Sequence, residues 1–312
     1  MLKKICVRLF ILSLLILACY GVGRLYFHLT AGFTIANITS DFSYNPEWAV
    51  RDLSSVENVE LEQAMNQSYT YLGKGCQSYV FLSQDGQYVI KFFKYQRFRL
   101  LPWLAYSPSL PAVVQYRQEK LEKKWEKLDG FIKSWKMAFE NLKDETALIY
   151  VHLNKTKHLN TQLVIFDKIG SSHSLNLDQM EFCIQRKADM LCDVLMHFKE
   201  QNNIDGAKLL VTNLLNLVIS EYHRGFADND HALMQNTGVA QGIPIHIDIG
   251  QFVENEKVRD SSVYHQELFT KTYKFKFWLG ENYPELAIFL ENQLEEIMGP
   301  SYSTMKPKFR IK

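Results

Sequence analysis

The sequence predicts an α+β chain in which a strand-rich first part is followed by a mostly helical second part. Three observations carry that expectation. Tyr69 to Phe93 is dense in β-branched and aromatic residues and holds a hairpin signal at Asp85-Gly86. Ala207 to Tyr222 is apolar nearly all round, the pattern of a central buried helix. An uncharged apolar run, Leu9 to Gly23, stands ahead of both, bracketed by Arg8 and Arg24.

That first run is a separate object. Its 15 residues follow a Met1-Leu-Lys-Lys head and suit the core of a signal peptide. A spanning helix needs about twenty residues, reached here only by extension through Leu25-Tyr26-Phe27 with Arg24 snorkelling. Ile16-Leu17-Ala18-Cys19 also approximates a lipoprotein cleavage box. Length and flanking charge favour membrane association, as a single-pass anchor or a cleaved signal, over burial as a core helix.

The rest is ordinary globular material: 312 residues in all, 47% hydrophobic and 22% charged, enough for a sizeable core. A formal net charge of +1 offers no electrostatic footprint for nucleic acid. Beyond the N-terminal segment stand three cysteines, Cys76, Cys183 and Cys192, without C-x-x-C or metal spacing.

Residues 30–68 show no sustained period and read as a linker or irregular packing segment. Ala112 to Asp144 is helical in pattern, with a break expected at Asp129-Gly130. Thr146 to Leu153 and Thr161 to Ile169 read as strands, Leu177 to Gln201 as helical, and Ile243 to Ile247 as a short strand. Helices are expected near 263–279 and 284–297, and 300–312 as a frayed basic tail. The expected divisions are therefore 1–29, 30–68, 69–170, 171–299 and 300–312.

Two clusters carry chemistry. Leu72-Gly-Lys-Gly-Cys-Gln-Ser78 leads into Tyr79-Val80, and the return strand ends on Val89-Ile90-Lys91. Two glycines, a tight turn and a terminal lysine describe a hairpin folding over phosphates; alone, such a loop is as well explained by a turn. After the buried helix come His223-Arg-Gly-Phe226, Asp228-Asn-Asp230, Asn236 and Asp248-Ile-Gly250.

Taken together these motifs resemble the protein-kinase-like superfamily, which includes the aminoglycoside and choline kinase branches. The resemblance implies a bilobal fold, a β-rich lobe on a helical lobe, with ATP and Mg²⁺ between them. It implies Asp230 as catalytic base and Lys91 on the α/β-phosphates. Asn236 and Asp248 become metal ligands, suited to a hard cation that takes oxygen donors. Gly73, Gly75 and Ser78 form the phosphate loop, Val80 and Val89 pack on adenine, and Asp167 to Ile169 is the hinge. Glu140 is the expected partner of Lys91, with Glu122 and Glu126 as alternatives.

Some features depart from the family. Five residues separate Asp230 from Asn236 where four are usual, Asp228 and Asn229 replace His-Arg, and Ala232 stands where a lysine is common. Only 62 residues follow Gly250, without Ala-Pro-Glu, so the helical lobe is shortened. The implied activity is phosphoryl transfer from ATP to a hydroxyl of a protein or small molecule. The alternative is a membrane-tethered pseudokinase, a binding or scaffold module.

Overall fold

In the computed structural model residues 2–309 are described. The chain opens with α1 (Leu2–Thr30), a helix of 29 residues, about 43 Å at 1.5 Å per residue. From Lys4 to Thr30 it is long and apolar enough to cross a membrane, and the rest of the chain leaves its most apolar stretch uncovered, touching only the last turn. The segment after it is no loose linker. A short helix, α2 (Ile35–Ile38), and α3 (Ser55–Met65) place Phe33, Ile38, Trp48, Leu61 and Ala64 in the sheet lobe's core. Aromatic and aliphatic anchors scattered without period had concealed this.

The sheet lobe holds β1 (Tyr69–Lys74), β2 (Ser78–Ser83), β3 (Tyr88–Phe93), β4 (Leu148–His152), β5 (Gln162–Phe166), β6 (Ser172–Asn176) and β7 (Phe182–Arg186). They form one seven-stranded sheet in the order β4-β7-β3-β2-β1-β5-β6. Between β3 and β4 come α4 (Pro102–Ala105), the long α5 (Pro111–Asn141) and α6 (Lys143–Thr146). α5 runs unbroken through Asp129-Gly130. A mid-helix glycine costs about 1 kcal/mol, and the stripe Leu128, Phe131, Ile132, Trp135, Phe139 buried against the sheet offsets it. Asp129 is further held by Trp48 Nε1 at 2.9 Å and Lys133 at 2.8 Å.

β7 is where the sequence reading fails most plainly. Helix was expected from Leu177, but Phe182-Cys-Ile-Gln-Arg lies between β3 and β4, with all but Arg186 buried. A short apolar run covered on both faces shows no alternation and cannot be told from helix by period. The sheet lobe therefore extends to Arg186, not to residue 170.

The helical lobe follows: β8 (Asp189–Met190), α7 (Leu191–Glu200), α8 (Ile204–Arg224), β9 (Phe226–Asp228), α9 (Leu233–Asn236), β10 (Thr237–Ala240), β11 (Ile243–His246), β12 (Phe252–Glu254), α10 (Ser261–Asn282) and α11 (Pro284–Met298). α8 is the central helix, capped by Gly225 at φ +86°. It is buried on one stripe only, since Leu209 is 62% exposed. The 3-10 turn Gly299–Thr304 docks Tyr302 on α10, so the start of the tail is packed; residues 310–312 lie outside the described part. The α+β, two-lobed arrangement preceded by an apolar helix is thus the observed architecture.

Candidate active site

The hairpin β10–β11 pairs Thr237 with His246, and Ile247 N donates to Asn236 O at 2.8 Å, adding one rung beyond it. Asp248 is the next residue. Asn236 is buried and Asp248 half-buried, on the two strand ends at the mouth of one hairpin. The sequence spacing alone left the Asn236 assignment strained by one residue. The α9 turn absorbs that extra residue ahead of β10.

Asp230 reaches the same place through β9. Asp228 pairs with Phe252 of β12, and Asn229 N donates to Gln251 O at 3.1 Å. The Asp230 carboxylate accepts from Gln251 Nε2 at 2.8 Å and from Ala232 N at 3.1 Å. Asp228 accepts the Asp230 N–H at 2.9 Å and pairs with Lys271 Nζ of α10 at 2.7 Å, both side chains almost fully buried. Lys271 therefore fixes the loop that presents Asp230, at a buried pair whose charges must satisfy one another. Under the loop, His246 Nε2 meets Glu221 Oε1 of α8 at 2.7 Å, again with both side chains buried.

Lys91, on β3, crosses to this cluster. Its Nζ donates to the carbonyl of Ile247, the residue before Asp248. Burial pulls its ammonium below the ordinary lysine range, while Cys183 and Asp248 act the other way. Cys183 stands directly opposite on β7, its thiol pushed up to about 12 by burial. Glu140, Glu122 and Glu126 are all exposed on α5 and none of them faces Lys91. What α5 turns toward Lys91 is Trp135, whose ring centroid lies 5.9 Å from Nζ. Beside it Ser134 Oγ donates to Phe252 O, tying the helix to the strand that follows Asp248. No period analysis flags a tryptophan in a carboxylate's place.

The glycine loop covers the cluster. β1 and β2 pair with an irregularity between Tyr71 and Gly73, and Gly75 N closes on Ser78 O at 3.0 Å. A Cβ at Gly73 or Gly75 would meet no atom within 4 Å, and neither has a positive φ. The fold itself therefore does not require glycine there, and the bare backbone leaves room for another group to approach closely. Val80 lies opposite Lys91 and Val89 opposite Leu82 in the β2–β3 ladder. Gln77, at the loop tip, points inward: a Cβ built on Gly250 would lie 1.9 Å from its Oε1. That oxygen is buried without a hydrogen-bond partner.

Two expected residues stand elsewhere. Asp167 and Ile169 form the turn between β5 and β6, at the sheet edge beyond β1. Asp167 accepts from Ile169 N, Ser171 N and His173 Nε2, which closes that turn and nothing more. The chain passes between lobes at residues 187–190 instead, where β8 pairs with β10 and Lys187 N donates to Gln87 O. The error has the same root as the missed β7: β5 alternates and leads into a turn holding Gly170, whereas β7 does neither.

No family model and no curated protein matches this chain. Among solved structures it is similar to the high-resolution crystal structure of WbdD, at 16% identity and TM-score 0.36, over 78% of this chain and 48% of that one. It is also similar to the medium-resolution structure of the bifunctional kinase-methyltransferase WbdD, at 16% identity and TM-score 0.33, over 74% and 45%. The chain spans about half the length of these proteins. A likeness this distant says nothing of substrate.

Proposed function

We propose that this chain is an ATP- and Mg²⁺-dependent phosphotransferase of the protein-kinase-like type, acting on a hydroxyl of a protein or small molecule and tethered to a membrane through α1. The observation that carries the reading is Lys91 seated on the Ile247 carbonyl, one residue from Asp248 and across one rung from Asn236. Lys91 lies more than 130 residues before Asp230, Asn236 and Asp248 in the chain, yet reaches the residue next to Asp248, and the glycine loop nearby has open space at Gly73 and Gly75. The donor set fits the group: carboxylate and amide oxygens for a hard cation, one ammonium for phosphate oxygens, and bare backbone where phosphates approach. Asp248 and Asn236 would hold Mg²⁺, and Lys91 would move from the Ile247 carbonyl to the phosphates. Bound nucleotide supplies the transferable phosphoryl group. Asp230, oriented by Gln251 and by the Asp228–Lys271 pair, would take or direct the acceptor's proton.

A scaffold role is the second reading, and one observation favours it. Lys91 has Trp135 rather than a carboxylate on the helix side, so nothing on α5 pre-orients it.

The test is a thermal shift of the full-length chain with ATP, with and without Mg²⁺. At ligand a hundredfold above Kd the gain is about 2.7 kcal/mol. A Mg²⁺-dependent shift lost in Lys91→Ala and in Asp248→Asn is expected. Asp230→Asn is expected to keep the shift and lower phosphoryl transfer by about 10²-fold or more. No shift at millimolar ATP would sink the enzyme reading.

A further inference from the structure

We propose that residues 101–116 form a second membrane contact beside α1, an aromatic patch seated in the headgroup region of an anionic bilayer. It rests on the reading of α1 as a membrane anchor.

The first ground is the joint between α1 and the sheet lobe, which is built as a fixed one. Ala31 and Gly32 turn the chain at φ 56° and 75°, and Gly32 N is held by Thr30 Oγ1 at 3.2 Å. Phe33 then buries its ring edge-on against Tyr79 and Phe81, at centroid distances of 5.3 and 5.4 Å. Lys74, inside the glycine loop, donates to Ala31 O at 2.7 Å and lies 4.5 Å over the Phe27 ring. Tyr79 OH donates to Gly32 O, and Lys168 Nζ to His28 O at 3.1 Å. Where α1 leaves a bilayer, the glycine-loop edge of the sheet is already against its last turn.

The second ground is what lies next to that joint. Only eight residues separate Thr30 from Thr39, four of them in α2, and Arg99 donates to Thr39 O at 2.6 Å. The segment leaving β3 thus starts on the anchor's side. It then exposes Leu101 (60%), Trp103 (65%), Tyr106 (89%) and Leu110 (60%), with Tyr116 at 44%. Three prolines, Pro102, Pro108 and Pro111, stiffen it, and Arg117 pins it back through Ser107 O at 2.7 Å.

Composition decides the occupant. From Arg97 to Gln118 there are three arginines and no acidic residue. Tryptophan and tyrosine with arginine, at the base of an apolar anchor, match the aromatic belt of a membrane interface and its anionic headgroups. The glycine-loop side of the cleft then faces the bilayer, and the acceptor hydroxyl is one presented at a membrane surface.

The test uses the full-length chain in vesicles of dibrominated phosphatidylcholine and phosphatidylglycerol at three to one, compared with unbrominated vesicles and with Trp103→Phe. Flotation reports the anchor, and tryptophan quenching reports the patch. The expected result is co-flotation of both proteins, with a share of bromolipid quenching in the wild type that Trp103→Phe loses. Co-flotation with equal quenching in the two proteins overturns the membrane contact while leaving the anchor, and turns the patch over to a protein partner. A chain that fails to float overturns both.

Discussion

At the scale of the residue, the site is organised by charges that the mechanism itself does not consume. Asp228 sits where a kinase-like chain usually carries histidine, and the fold answers it with Lys271 from α10 at 2.7 Å in a nearly solvent-free place. Removing one member of such a pair leaves a buried charge uncompensated, at a cost of roughly 3–5 kcal/mol. Lys271→Met is therefore expected to lower the unfolding free energy, read by urea titration, by that amount. Activity should fall as well, because the Asp230 amide loses a fixed acceptor. An unfolding free energy within about 1 kcal/mol of wild type in the same titration would show that Asp228 finds another partner.

At the scale of the element, the glycine loop and the Asp248-Ile-Gly250 turn interlock. Gly250 is glycine for reasons of space: a Cβ there would lie 1.9 Å from Gln77 Oε1 and 2.8 Å from Phe131 Cδ2. The Gln77 amide can swing away; the Phe131 ring, packed 4.9 Å from Phe93, cannot. Gly250→Ala is accordingly expected to cost about 1–3 kcal/mol, as overpacking does. Adding Gln77→Ala should recover only part of it, and full recovery in thermal melts would show that the loop, not the core, carries the strain. Hydrogen exchange across residues 73–78 should rise in both variants, since each disturbs the packing of the Gln77 amide over Gly250.

At the scale of the whole molecule, each lobe has its own buried cluster, but the sheet lobe's is completed from beyond it. Ile249 and Phe252 come from the segment after β11, yet both belong to the sheet lobe's buried cluster with Phe131 and Trp135. Phe252 also packs 4.8 Å from His246, and its carbonyl accepts from Ser134 of α5. A sheet lobe whose core is completed by the helical lobe does not melt on its own. Calorimetry is expected to show one cooperative transition for residues beyond α1. Phe252→Ala should move all of it, by about 3–5 kcal/mol. Two separate transitions, only one of them shifted, would contradict this.

The sequence by itself determined what depends on neighbours along the chain. The β1–β2–β3 hairpins, the central α8, the order Asp230, Asn236, Asp248 and the apolar α1 were all legible, because turns and helical stripes are local. Tertiary structure alone decided which strand leads into the second lobe and which glutamate, if any, meets Lys91. β7 is buried on both faces, so its alternation vanished, and β5, which alternates and lies between β1 and the edge strand β6, reads as the hinge strand in its place. Glu140 looked right by distance along the chain, but the phase of α5 is set by packing Phe131, Trp135 and Phe139 on the sheet, which turns that carboxylate to solvent. A helix rotates as one body, so a contact made by its apolar face settles where its charges go.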